Sequence, residues 1–171
     1  SDLSNYVLGD VYIADGSSDF LGYVKITTVM PAANGEQNNF LGSDGNYINN
    51  FGLVGEKPID YNNYVQSSYA PTTDYYGFNE TIKTNGNIGQ NVFGVQLNAA
   101  IYKPNAKTAL CNLLIKSGPT ELVSNVIFIP NSYTYTVLPV ENNPETSNPW
   151  TVSELDASQI GIRNALYIAL P

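Results

Sequence analysis

Residues 91–103, NVFGVQLNAAIYK, show the clearest alternation of apolar and polar side chains in the chain. One face of this segment holds Phe93, Val95, Leu97, Ala99 and Ile101. The other face holds Gln96, Asn98 and Tyr102. Such period-two alternation is typical of a β-strand that buries one face, so the sequence predicts a half-buried strand here.

A second alternating segment follows at residues 107–116, after the turn-forming residues 104–106. Its predicted inward side chains are Ala109, Cys111, Leu113 and Ile115. Two such strands joined by a short turn predict a β-hairpin. Cys111, the single cysteine, is interpreted as a small core residue, because a reactive thiol needs an exposed, electropositive setting.

Further strands are predicted at residues 122–129 and 133–137, and a final one at residues 159–168. Asn164 falls on the inward side of that last strand, which predicts a β-bulge or a hydrogen-bonded amide. Just before it, Thr151 and Glu154 stand three residues apart, the spacing of a capping box at the start of a short helix.

The first half of the chain is less regular. A hairpin is predicted from residues 6–13 and 21–29, and shorter strands are predicted near residues 47–54, 61–67 and 75–82. Many short strands separated by turns indicate an all-β protein, an antiparallel β-sandwich of jelly-roll type with one short helix before the last strand. The length of 171 residues fits a single β-sandwich domain over residues 1–171.

The composition narrows the range of partners. The net charge is −8 and the seven basic residues are scattered, which argues against binding nucleic acid. No segment is long and apolar enough to predict a membrane span, and the amino end does not resemble a signal peptide. We therefore expect no nucleic-acid partner, no membrane partner and assembly in the cytoplasm of the cell that makes the protein.

The sequence contains no His, which excludes nucleophilic triads that use His and the usual zinc sites. Glycoside hydrolysis needs only two carboxylates, and the candidates considered are Asp10, Asp74, Glu80 and Glu121. None of these forms a recognisable acidic pair, so we predict no enzyme activity, no catalytic residues and no cofactor.

Calcium is the best-motivated ion, because residues 15–19 and 43–46 place oxygen ligands on flexible turns. Neither segment completes an EF-hand loop, and both are also good bare turns, so no metal site is predicted.

Several tyrosines could form a surface for stacking sugars: Tyr61, Tyr64, Tyr69, Tyr75 and Tyr76. Tyrosine combines an aromatic face with a polar tip, which suits carbohydrates, protein interfaces and the margins of a core. Packing or a protein interface is favoured over sugar binding. Trp150 follows a proline-containing loop and is expected to close one end of the sandwich.

Several motifs in order along the chain resemble a domain found among virion proteins of tailed bacteriophages. They are residues 42–46 with 56–58, residues 60–65, residues 74–78, residues 92–97, and residues 149–151 with Leu155 and residues 160–162. The resemblance implies a jelly-roll sandwich, similar in outline to concanavalin-like folds, that forms a small protein of the head or tail structural module.

We therefore expect a bacteriophage virion structural protein, most specifically a capsid decoration protein that binds the major capsid protein or other virion proteins. A homo-oligomer is expected, and a trimer would suit the threefold axes of a capsid. Residues 31–63 and 141–149 are the predicted contact regions, since loops usually carry function. The alternatives are a tail-associated adhesin domain that binds a host glycan and, less favoured, a sandwich-fold hydrolase.

Overall fold

The computed structural model describes residues 26–56, 58–79 and 92–165. These residues form ten strands and two short helices. In chain order the elements are β1 (Ala33–Asn38), β2 (Leu41–Gly42), α1 (Asn50–Val54), β3 (Val65–Gln66), β4 (Thr72–Gly77), β5 (Val95–Ile101), β6 (Leu110–Ser117), β7 (Thr120–Val123), β8 (Ile127–Phe128), β9 (Thr134–Val140), α2 (Val152–Ala157) and β10 (Gln159–Ala165).

The main sheet has the strand order β1-β4-β10-β6-β7, and β8 also pairs with β6. Two smaller sheets are formed by β2 with β3 and by β5 with β9. Every pairing between these strands is antiparallel. The sheets pack against each other, so the predicted all-β antiparallel sandwich is confirmed.

The core lies between the main sheet and the β5–β9 sheet. Its buried members are Phe78, Ile115, Val140, Trp150 and Leu155. Apolar side chains of β5 and β9, among them Val95, Leu97 and Leu138, pack against this cluster. Trp150 is 2% exposed, which confirms that it is buried in the core.

The inward face predicted for β5 is largely confirmed. Val95, Leu97 and Ile101 are partly or fully buried, whereas Gln96 is exposed. Phe93 is an exception, because it precedes the strand and is 54% exposed. The apolar alternation in the sequence therefore begins two residues before the strand does.

The predicted hairpin between β5 and β6 is wrong. β5 pairs along its whole length with β9, from Val95 opposite Val140 to Ile101 opposite Thr134. β6 belongs to the main sheet and lies between β10 and the two strands β7 and β8. Nearly all residues of β6 are buried, on both faces of the strand. This burial is typical of a central strand, which has neighbours on both sides, and a two-stranded hairpin would leave one side of β6 open.

The segment around residues 47–54, predicted as one or two strands, contains the helix α1 instead. The left-handed residue Asn49, with φ of 63°, begins it, and Asn50 is fully buried. β1 was not predicted, because its sequence ANGEQN has no apolar alternation. The predicted strands at 61–67, 75–82 and 122–129 correspond to β3, β4, and the pair β7 and β8. Residues 80–82 of the second one lie outside the described residues.

The helix before the last strand is confirmed as α2, with Thr151 as its N-cap. The Thr151 side chain accepts a hydrogen bond from the Glu154 backbone N–H at 3.2 Å, and the Glu154 carboxylate accepts one from the Thr151 backbone N–H at 2.8 Å. This reciprocal pair is the capping box that the spacing predicts.

β10 pairs in unbroken register with β6 and β4, so no bulge occurs at Asn164. Its amide instead donates to the backbone carbonyl of Tyr69 at 2.9 Å, which confirms the alternative of a hydrogen-bonded amide. The predicted hairpin of residues 6–13 and 21–29 lies outside the described residues up to residue 25, and residues 26–29 are not in a strand. Positions 166–168 of the predicted last strand also lie outside the described part.

Candidate functional site: an exposed tyrosine patch

Five exposed tyrosines lie together on the surface, and we call them the tyrosine patch: Tyr61, Tyr64, Tyr102, Tyr133 and Tyr135. The ring of Tyr133 lies between two others, with centroids 4.4 Å from Tyr61 and 4.6 Å from Tyr102. The hydroxyl groups of Tyr61 and Tyr135 are hydrogen-bonded at 3.0 Å. Exposure of the five side chains runs from 40% at Tyr133 to 63% at Tyr135.

Three separate segments bring these tyrosines together. Tyr61 and Tyr64 belong to the loop between α1 and β3, and Tyr102 directly follows β5. Tyr133 and Tyr135 stand at the start of β9, whose first residue pairs with the last residue of β5. The β5–β9 pairing therefore supplies three of the five rings, and the loop after α1 adds the other two.

The contacts within the patch raise the pKa of two of its hydroxyl groups. The hydrogen bond to Tyr135 is the main cause that raises the pKa of the Tyr61 hydroxyl. Desolvation is the main cause that raises the pKa of Tyr133, and the nearby hydroxyls of Tyr102 and Tyr64 raise it further. Since both shifts favour the protonated form, the hydroxyl groups of Tyr61 and Tyr133 stay uncharged at neutral pH.

The patch differs from the tyrosine cluster that the sequence predicts. Tyr61 and Tyr64 belong to it, but Tyr75 and Tyr76 are only 2% and 5% exposed. Both lie in β4, a strand inside the main sheet, so their side chains are buried on its two opposite faces. For Tyr75 and Tyr76 this burial agrees with packing, the interpretation that the sequence analysis favoured over sugar stacking.

Tyr69 is the most exposed tyrosine among the described residues, at 80%, but no ring contact joins it to the patch. Tyr102, Tyr133 and Tyr135 were not predicted as members. A signal for them did exist in the sequence, because Tyr102 ends one alternating segment and Tyr133 and Tyr135 begin another.

The two acidic candidates within the described residues, Asp74 and Glu121, have separate settings and do not form a catalytic pair. Asp74 is completely buried, and both of its carboxylate oxygens accept hydrogen bonds. The backbone N–H groups of Asn39 and Phe40 donate to Oδ1, the latter at 2.6 Å. The Asn50 amide and the Tyr76 hydroxyl donate to Oδ2 at 2.7 and 3.1 Å. Asp74 thus fastens the chain before β2 and the start of α1 to β4.

Glu121 lies on the outer face of the main sheet, in a shallow groove of about 250 Å³. Arg163 binds both of its carboxylate oxygens, and the Tyr75 hydroxyl donates to it as well. At the other side of the groove Lys116 forms an ion pair with Glu36. Each charge in the groove therefore has an opposite partner, which leaves no free carboxylate for acid–base chemistry.

Burial is the main cause that raises the pKa of Tyr75, and its hydrogen bond to Glu121 contributes next. The Tyr75 side chain also packs closely over Gly161 of the neighbouring strand, where an added Cβ would lie 2.7 Å from a ring carbon. This close approach explains why glycine occupies that position of β10.

The other predicted site residues have separate outcomes. Asp10, Glu80 and residues 15–19 lie outside the described residues. Residues 43–46 form a turn in which the Asp44 carboxylate accepts a hydrogen bond from the Asn46 backbone N–H at 2.9 Å. Gly45 there has φ of +81°. No group of three acidic or cysteine side chains suited to a metal ion occurs within residues 26–56, 58–79 and 92–165.

Cys111 is confirmed as a core residue, since it is 1% exposed and its desolvation raises the pKa of the thiol to about 11.

A cleft of about 430 Å³ lies beside Trp150, with Phe93, Glu141 and Pro149 among its lining residues. The adjoining loop at residues 141–149 is held by its own hydrogen bonds, such as Asn143 N–H to the Asn148 carbonyl at 2.9 Å.

No family model, no curated protein and no solved structure matches this chain. In the described part of the chain, neither helix has the length and apolar character needed to span a bilayer. The tyrosine patch is therefore the feature of the described surface from which a function can be argued.

Proposed function

We propose that this chain is a structural protein of a bacteriophage virion, most specifically a capsid decoration protein that binds through protein–protein contacts. The observation that carries the proposal is the tyrosine patch, an exposed and preformed aromatic surface on a β-sandwich. Tyrosine is enriched at the centres of protein interfaces, where rigid rings bury much area at a small cost in side-chain entropy.

Two further features support this proposal. The sequence motifs resemble those of phage virion proteins, as described above. The charged groups of the groove around Glu121 are paired with each other, Arg163 with Glu121 and Lys116 with Glu36. A β-sandwich with an exposed aromatic surface is suited to assembly through protein–protein contacts.

Imaging of the intact virion tests this proposal directly. The particle of the phage that encodes the chain should show sandwich-shaped density on the head that fits residues 26–165. Purified chain should also bind to heads that lack it. Finding the chain absent from purified particles, while it is present in infected cells, would overturn the proposal.

A second candidate function is glycan binding on a tail, because polar amides border the patch. Gln96 and Asn98 lie on the outer face of β5, opposite Pro139 and Val137 of β9, and their side chains are hydrogen-bonded to each other at 2.6 Å. Amides beside aromatic rings can hold sugar hydroxyls while the rings stack. Binding to a glycan array that is lost in the variant Tyr61→Ala/Tyr135→Ala would favour this function.

A further inference from the structure

The size of the tyrosine patch makes it suitable as the centre of a protein interface. Aromatic side chains bury about 150 to 250 Å² each, so the exposed parts of the five tyrosines amount to roughly 450 Å². Val137, two residues after Tyr135 on the same face of β9, is 49% exposed and extends the apolar surface. Patches of this size are typical contact sites, and a standard interface buries about 800 Å² per partner.

The chemistry of the patch is self-complementary. A tyrosine hydroxyl both donates and accepts hydrogen bonds, and aromatic rings pack well against the edges of other rings. In the pair formed by Tyr61 and Tyr135, one hydroxyl donates to the other, which leaves one hydrogen free to donate outward. Two copies of the same surface can therefore satisfy each other across a twofold axis.

Charge restricts which surface two copies can share. The chain has a net charge of −8, so two copies repel each other over most orientations. The patch itself contains no charged residue. Beside it, Asp60 accepts hydrogen bonds from Asn62, and Lys103 donates to the Asn105 carbonyl. Contact through the patch therefore places uncharged side chains at the centre of an interface between two acidic chains.

We propose that the partner bound by the tyrosine patch is a second copy of this chain, in a twofold symmetric contact. This inference rests on the proposed function in one respect, that the patch works by protein contact. The patch then serves assembly by joining two copies of the decoration protein, and the dimer attaches to the capsid through other surfaces, such as the predicted contact loop at residues 141–149.

The sign of the salt dependence distinguishes this partner from the others. Salt screens charges over about 10 Å at 0.1 M and about 3 Å at 1 M, so it weakens the remaining repulsion between two acidic copies. Self-association should therefore strengthen as salt rises. Binding to a basic protein would weaken instead, and binding to a neutral glycan would change little.

The test is sedimentation of the purified chain over a range of concentrations up to about 1 mM, the weak end of specific affinities. We expect a monomer–dimer equilibrium whose dissociation constant falls when NaCl is raised from about 0.05 M to about 0.5 M. Tyr61→Ala/Tyr135→Ala should raise that constant at least about tenfold, which corresponds to about 1.4 kcal/mol. Tyr69→Ala is the matched control, because Tyr69 is more exposed but stands outside the patch.

A thermal melt of each variant shows whether it folds, and Tyr61→Phe/Tyr135→Phe provides a gentler change that removes only the hydroxyl groups. A chain that stays monomeric at every concentration, or that associates equally well without Tyr61 and Tyr135, overturns the inference. If monomers nevertheless bind to phage heads, the proposed function stands and only the partner is wrong. If dimers form but never bind to particles, the inference stands and the decoration role is wrong.

Discussion

The tyrosines of β4 and the tyrosines of the patch have the same chemistry and opposite settings. Tyr75 and Tyr76 are adjacent in a strand inside the main sheet, so one is buried on each face. Tyr61 and Tyr135 lie in a loop and at the beginning of a strand, where 47% and 63% of their surfaces remain exposed. Whether a tyrosine ring is buried or exposed depends on how many strands and loops cover it, and the number of tyrosines in a segment does not reveal this.

The largest expected effect on the free energy of unfolding is that of truncating a buried tyrosine, compared with truncating a tyrosine of the patch. Tyr76→Ala should lower the free energy of unfolding by about 3 to 5 kcal/mol, because it leaves a cavity in the core. Tyr135→Ala should change it by no more than about 0.5 kcal/mol, as surface substitutions do. Urea denaturation of the two variants measures both values. Equal losses would show that Tyr135 is part of the core and not of a free surface.

The buried carboxylate beneath Tyr76 sharpens the comparison. Asp74→Asn replaces one acceptor oxygen by an amide N–H₂ that faces donors, so it should cost about 1 to 3 kcal/mol. Asp44→Asn is the matched control in an exposed turn, where the amide oxygen can keep the bond to the Asn46 backbone. Denaturation curves for both variants should show a loss in the first and almost none in the second.

Alkaline pH should test the burial of Tyr75 and Tyr76 without a truncation. Burial raises the pKa of both Tyr75 and Tyr76 above the ordinary value of about 10. Their contribution to stability is therefore complete below about pH 10 and is lost as the pH rises beyond it. Tyr76→Phe should reduce the slope of stability against pH in that range, and an unchanged slope would contradict the raised pKa of Tyr76. The slope is measured by denaturation at a series of pH values.

The smallest effect is expected at the capping box, which is independent of either group of tyrosines. Thr151→Ala should cost about 1 kcal/mol, since it removes the acceptor for the Glu154 N–H. The Thr151 backbone N–H, which the variant keeps, is the main cause that lowers the pKa of Glu154, and the Thr151 hydroxyl, which the variant loses, contributes next. The hydroxyl's share of the stability is present above the ordinary pKa and is lost as the pH falls through the lowered one. Thermal melts at neutral and acidic pH should show the difference between variant and parent shrink in acid.

Much of the fold could be predicted because strands and caps leave local patterns. The alternation of Val95, Leu97 and Ile101 identified β5, and the spacing of Thr151 and Glu154 identified α2. Pairing could not be predicted in the same way, because it depends on segments far apart in sequence. β5 pairs with β9 and not with the adjacent β6. α1 was missed because Asn50 is held by Asp74, a residue 24 positions away.

The candidate site was only partly predictable for the same reason. Tyr61 and Tyr64 could be singled out by composition, but nothing local showed that Tyr133 would pack between Tyr61 and Tyr102. For Tyr75 and Tyr76 the sequence left packing and an exposed role open, and the structure shows that both are buried.

The sequence by itself determined the all-β class, the capping of α2 and the burial of Trp150 and Cys111, because side-chain periodicity and turn chemistry act over a few residues. Tertiary structure alone decided which strands pair, which tyrosines are buried and which meet at the surface. These outcomes depend on contacts between distant segments, whose free energy arises only when the sheets have packed together.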